Sequence, residues 1–159
     1  MTTLNTQWVL WYHDQNKDWS IKGYKKIFEI KTIEDFWEIY LRLKNTIILK
    51  GMFFLMKKGV LPIWETDNNK DGGCWSYKIS KNDAFISWLY LSVYLCSEHL
   101  TQEKQNITHI NGISISPKKN FCIIKIWNND RECVDNILVD KINNINLSIC
   151  LYKPHKDRN

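Results

Sequence analysis

Gly59-Val60-Leu61-Pro62-Ile63-Trp64-Glu65, followed after a polar stretch by Gly72-Gly73-Cys74-Trp75, is the segment from which the fold can be read outward. An apolar run breaks at Trp64-Glu65, and Thr66-Asp67-Asn68-Asn69 follows. The polar stretch 67–73 reads as a loop. Trp75-Ser76-Tyr77-Lys78-Ile79 alternates and reads as a strand, as does 52–57 on the upstream side. Further upstream, 7–12 and 24–30 read as two more strands. Thr32-Ile33-Glu34-Asp35 has the form of a helix start, a hydroxyl N-cap followed by acids in the first turn, with the helix running to about Leu43. Downstream, 82–97 is long and apolar, so its length favours a helix. Residues 107–116 and 121–127 read as a hairpin across Pro117-Lys118-Lys119-Asn120. A short helix is expected over 130–139, a last strand over 147–152, and a loop-like tail from Lys153. Strands and helices mix without a repeating βαβ pattern, which points to an α+β fold with a mainly antiparallel sheet.

The chain has 159 residues, which suits one domain spanning 1–159 with a sizeable core. Aromatic content of 13% and charged content of 25% are those of a globular protein. A net charge of +5, from 22 Lys+Arg against 17 Asp+Glu, permits a polyanionic ligand without demanding one. The basic residues are nearly all Lys, and Ile and Asn abound, a composition expected of an AT-rich coding genome such as that of a virus or an AT-rich protist. Cys74, Cys96, Cys122, Cys133 and Cys150 are odd in number and scattered, consistent with free thiols in a reduced compartment. No signal pattern opens the chain, and no run approaches the ~18–20 apolar residues of a span. A cytoplasmic location is therefore expected.

Enzyme signatures are missing. His13, His99, His109 and His155 have no zinc-like spacing to one another or to Cys, so no metal site is expected. No glycine-rich nucleotide loop, metalloprotease or nucleophile-elbow motif occurs. Glu34 and Asp35 read as helix-start acids. The expectation is a binding protein with no catalytic residues and no cofactor.

Eight tryptophans remain: Trp8, Trp11, Trp19, Trp37, Trp64, Trp75, Trp88 and Trp127. A lone Trp is usually a core residue, and Trp8, Trp11, Trp75 and Trp88 are assigned there. Trp19 differs, sitting among Asp14, Lys17, Asp18, Ser20 and Lys22, where no core explains it. Trp64-Glu65 likewise opens onto a polar stretch. The spacing of all eight, with the internal spacing of 59–65 and 72–75, resembles the translation initiation factor 4E family, which binds the 7-methylguanosine cap of eukaryotic mRNA.

The resemblance implies a strongly curved sheet with three helices on its convex face and the ligand slot on the concave side. It implies that Trp19 and Trp64 stack on the methylated guanine, that Glu65 reads the guanine edge, and that Trp127 packs against the methyl group. Lys118 matches a family basic residue. A second family Lys is replaced by Ile123, and Lys125 lies on the same strand face, with Lys119 a further candidate. Cys74 stands where the family usually carries another basic residue.

The helix from Thr32 is apolar over an arc of roughly 200°, wider than one core contact needs, with Ile33, Trp37 and Leu41 on one flank. The helix from Asn82 carries Ile86, Leu89, Tyr90 and Val93 on a flank. Such surplus surface suggests a docked partner, although burial within the fold or a dimer would also cover it. In the family, Ile33, Trp37, Leu89 and Val93 match positions that hold a Tyr-x-x-x-x-Leu-apolar helix of the scaffold factor 4G or of inhibitory 4E-binding proteins. Tyr90 replaces an acidic residue there. The implied molecule is a monomer that presents capped mRNA to a scaffold. The alternatives are a protein-interaction or repressor module with weakened cap binding, and a general single-stranded RNA binder.

Overall fold

The structure, a computed structural model, describes residues 1–101, 104–133 and 150–156. Its strands are β1 (Thr3–His13), β2 (Tyr24–Thr32), β3 (Met52–Lys57), β4 (Gly73–Ile79), β5 (Ile110–Pro117), β6 (Cys122–Asn128) and β7 (Leu151–Pro154). Its helices are α1 (Ile33–Tyr40), α2 (Asn45–Ile48) and α3 (Ala84–Cys96). The seven strands form one curved sheet in the order β2-β1-β3-β5-β6-β4-β7, antiparallel at every pairing.

Alternation along the strands makes two layers. Trp8, Leu10, Phe53, Leu55, Trp75, Tyr77, Ile113, Ile124 and Ile126 face the helices and pack with Trp88, Leu91 and Leu95 of α3. Phe54, Met56, Cys74 and Trp127 face the other way and form a second, smaller cluster. Both faces of β3 are covered, so Met52-Phe53-Phe54-Leu55-Met56 reads as an unbroken apolar run.

The helix start is a capping box. Thr32 Oγ1 accepts the Asp35 N–H at 3.0 Å, and the Asp35 carboxylate accepts the Thr32 N–H at 3.1 Å. The helix ends at Tyr40 rather than at Leu43, because the chain turns to bury Leu43 and the α2 residue Ile48 in the core. The expected strand from residue 107 begins only at Ile110; a 3-10 turn, Lys104–His109, precedes it, and Ile107 reaches the core from that turn. Residues 130–133 form a turn, and the rest of the helix expected over 130–139 lies outside the described residues, as does 147–149 of the last expected strand. Lys153 and Pro154, expected in a loop, belong to β7, which pairs with β4 at the sheet edge, where a proline is tolerated. The ladder is tight there: a Cβ on Gly73 would collide with the Lys153 carbonyl.

Candidate functional site

The concave layer opens into a cavity of about 620 Å³. Trp19 reaches it from the β1–β2 loop, Trp64 and Glu65 from the β3–β4 loop, and Trp127 from β6. These four residues are spread over more than a hundred positions of sequence, and the fold brings them to one cavity. Trp19 is 52% exposed and Trp64 40%, whereas Trp127 is buried. Trp127 is held edge-on to Phe54, and its Nε1–H donates to Ser114 Oγ at 3.0 Å. The site therefore has two part-exposed indoles and one fixed indole floor.

The loop carrying Trp64 and Glu65 is fastened from beneath. Asn69 is fully buried and donates through Nδ2 to the carbonyls of Leu61 (2.9 Å) and Ile63 (3.0 Å). Asn111 of β5 donates to Asn69 Oδ1 and to the Asn68 carbonyl, both at 2.8 Å. Gly59, at φ 90°, starts this loop in a conformation that side-chain-bearing residues rarely adopt.

The loop carrying Trp19 is fastened differently. His13 is fully buried at the end of β1, and its ring stacks on Trp19 with centroids 4.1 Å apart and planes 6° from parallel. The Gln15 N–H donates to His13 Nδ1 at 2.9 Å, so the ring proton sits on Nε2 and is donated to the Asp18 carbonyl at 2.8 Å. The rest of the loop is held mainly by short exposed turns: Asp14 Oδ1 accepts from the Asn16 N–H, Asn16 Oδ1 from Asp18, and Asp18 Oδ1 from Ser20.

Charge around the cavity is mixed. Burial, with the Glu65 carboxylate adding to it, pushes the Tyr24 phenol up to about 12. Tyr24 is thus a neutral hydroxyl near a carboxylate. Burial also pushes the Cys74 thiol up to about 12, so Cys74 contributes no charge where a basic residue was expected by resemblance. Lys125 lines the cavity on the same face as Trp127. Lys118 lines an adjoining cavity of about 180 Å³ together with Ile123, Lys125 and Trp127. Lys119 is exposed on the hairpin turn and lines neither cavity.

Among the lining residues, Lys153 and His155 escaped the sequence reading. Lys153 pairs with Cys74 across the β4–β7 ladder and brings a cation close to the one Cys74 lacks. His155 follows it, 6.1 Å from the Trp64 ring and 5.2 Å from the Trp127 ring, centroid to centroid. Burial and, next, the Lys125 charge pull its imidazole down to about 4. No local pattern marks these residues, since their place depends on the long-range pairing of β7 with β4.

On the convex side, Leu4, Ile33, Phe36, Trp37 and Val93 line an apolar groove of about 220 Å³ between α1 and α3. Ile33 and Trp37 are each 43% exposed and Leu41 75%. Leu89 and Val93 are half-buried against the core, and Tyr90 is exposed.

Fold and cavity together define a class: a curved antiparallel sheet whose concave cavity is lined by indoles, one carboxylate and two lysines, Lys125 and Lys153. The chain belongs to the eukaryotic initiation factor 4E family, whose profile matches residues 3–159. It is 30% identical to translation initiation factor 4E-2 of Schizosaccharomyces pombe over 87% of this chain and 58% of that one. The chain spans about three fifths of the length of such relatives, 58% of this one and 60% of the Saccharomyces cerevisiae factor 4E. Among solved structures it is similar to Ascaris suum initiation factor 4E-3 in complex with the m2,2,7G cap, with a TM-score of 0.78 and 26% identity over 99% of this chain and 93% of that one. It shares its fold with C. elegans initiation factor 4E-3, with a TM-score of 0.78 at 24% identity over 97% of this chain and 92% of that one. Among the described residues, no helix is long and apolar enough to cross a membrane.

Proposed function

We propose that this chain binds the 7-methylguanosine 5′ cap of mRNA non-covalently and without catalysis. The observation that carries this reading is the convergence of Trp19, Trp64, Glu65 and Trp127 on one cavity. Methylation at N7 makes guanine cationic. Between two indoles such a base gains stacking of roughly 1–3 kcal/mol and a cation–π attraction of about 2 kcal/mol when desolvated. Glu65 accepts from N1–H and the N2 amino group in a charge-assisted bidentate pair, for which adenine has no counterpart. The Trp64 backbone N–H donates to O6, and Trp127 packs beside the methyl group. Lys125 and Lys118 take the phosphates, with Lys119 available from the turn and Lys153 from β7. The capped complexes of the Ascaris relative support this reading, since that protein was solved with both m7G and m2,2,7G caps.

The convex groove takes a Tyr-x-x-x-x-Leu-apolar helix of a 4G-type scaffold or an inhibitory 4E-binding protein, through Ile33, Trp37, Leu89, Tyr90 and Val93. Exposed aromatic and aliphatic surface on α1, beside a ready groove, supports this role. The molecule acts as a cytoplasmic monomer that presents capped mRNA to that partner.

A second reading, an interaction or repressor module with weakened cap binding, is favoured by Cys74 and Ile123 at positions where cations were expected. Calorimetry with 7-methyl-GTP, GTP, an uncapped oligoribonucleotide and a 4G-type peptide separates the readings. Cap binding predicts at least about tenfold preference for 7-methyl-GTP over GTP, a loss of 1.4 kcal/mol or more for the missing methyl. Equal, weak binding of both nucleotides with intact peptide binding would establish the second reading. Salt-steep binding of uncapped RNA would instead mark a general RNA binder.

A further inference from the structure

We propose that His109, Asp130 and Cys133 form a zinc site on the convex side of the sheet, away from the ligand cavity. The ligand atoms of the three side chains all lie within 4.8 Å of one another. They come from two elements, the end of the 3-10 turn before β5 and the turn after β6.

Each group is prepared for a metal. The His109 Nδ1 lies 2.9 Å from Asn129 Oδ1. An amide oxygen only accepts, so Nδ1 carries the proton and the Nε2 lone pair is left for a ligand. An imidazole oriented through its other nitrogen is the usual state of a zinc-bound histidine. Asp130 Oδ1 accepts the Glu132 N–H at 2.9 Å, which leaves Oδ2 turned to Cys133. The Cys133 thiol donates to that oxygen over 3.6 Å. A tetrahedral zinc with ordinary bond lengths to sulfur and oxygen spans an S···O edge of about 3.5 Å, so this pair needs almost no movement.

The backbone around the cluster is fixed without metal. Cys133 N–H donates to the Asp130 carbonyl at 3.1 Å, and Asn128 Nδ2 donates to the carbonyls of Asp130 and Cys133, each at 2.9 Å. The Asn129 N–H donates to the His109 carbonyl at 2.9 Å, tying the two elements together. An imidazole, a thiolate and a carboxylate select zinc over magnesium or calcium, which take oxygen ligands. A cavity of about 160 Å³, lined by His109, Cys133, Glu132 and Thr101, leaves room for a water as fourth ligand. Binding exchanges the Cys133 thiol proton for the metal, with the proton released to solvent, so affinity weakens as pH falls. The sequence hid the site because Asp130 and Cys133 meet His109 only through the pairing of β5 with β6.

The test is titration of the chelator-treated full chain with zinc against a chromophoric chelator, repeated with cobalt. About one equivalent is expected, with a cobalt spectrum showing thiolate charge transfer and the strong bands of a tetrahedral site. Cys133→Ser and His109→Gln should each weaken zinc at least about tenfold, and Cys150→Ser should not. Melting curves and 7-methyl-GTP titration check that the variants fold. Weak octahedral cobalt bands in the wild type, or unchanged zinc binding in Cys133→Ser, would overturn the proposal. Should a variant fail to fold, the wild-type cobalt spectrum alone decides.

Discussion

The two loops that carry Trp19 and Trp64 are anchored in opposite ways. The Trp64 loop is tied to the sheet by buried side chains, with Asn69 gripping Leu61 and Ile63 and Asn111 gripping Asn69. The Trp19 loop rests on one buried ring, His13, on its own exposed turns and on one exposed bond from Gln15 Nε2 to the Pro117 carbonyl. Buried hydrogen bonds are costly to break, whereas exposed ones exchange readily with water. The Trp64-Glu65 side is thus a preformed wall, to which the proposed function assigns base recognition, and the Trp19 side is the one able to yield when a ligand enters.

The comparison is broken most severely by Asn69→Ala. It strands the Leu61 carbonyl, leaves the Ile63 carbonyl to Thr66 alone and takes from the Asn111 amide its acceptor on Asn69, at a cost of about 1–3 kcal/mol for an unsatisfied buried group. A lower Tm together with weaker 7-methyl-GTP binding is expected; an unchanged Tm would mean the wall is not held by this residue. His13→Phe comes next. It keeps a flat ring beneath Trp19 but removes both hydrogen bonds of the imidazole. Faster hydrogen exchange over residues 14–20 is expected, and an affinity loss of about 0.5–1.5 kcal/mol, roughly two- to tenfold. Exchange spread over the whole sheet would show that the two loops are not independent.

Lys153→Ala has a smaller effect, about 1 kcal/mol or less in 7-methyl-GTP affinity, because the residue is exposed. The loss should shrink at high salt and be absent for 7-methylguanosine without phosphates. A loss that persists for the bare nucleoside would place Lys153 in a structural role instead. Near neutrality the gentlest effect is that of pH, which grows only as the solution is acidified. His155 is held down to about 4 from an ordinary 6.5, so the folded state binds fewer protons than the unfolded chain between those values. Stability contributed by the neutral ring is complete above about 6.5 and is lost as pH falls toward 4. Melting temperatures should therefore fall over that window, and His155→Asn should flatten the decline.

Much of this was legible in the sequence because it is written locally. The β3 bounds, the Thr32 N-cap and the α3 helix follow from alternation, capping chemistry and length. Trp19 and Trp64-Glu65 stood out as aromatics without a core to explain them. What was not legible depends on contacts between distant segments. The four-residue α2 is too short to show a period. Asn69 and Asn111 look like ordinary loop and strand asparagines until the sheet brings them together. Lys153 looked like part of a polar tail, and only the β4–β7 pairing makes it a neighbour of Cys74.

Tryptophan fluorescence titration with 7-methyl-GTP and with GTP, on the wild type and on Glu65→Ala, tests the central claim most directly. Saturable quenching of the wild type by the methylated nucleotide alone, abolished in Glu65→Ala, is the predicted result. Equal, weak quenching by both nucleotides, or wild-type affinity in Glu65→Ala, would contradict the account.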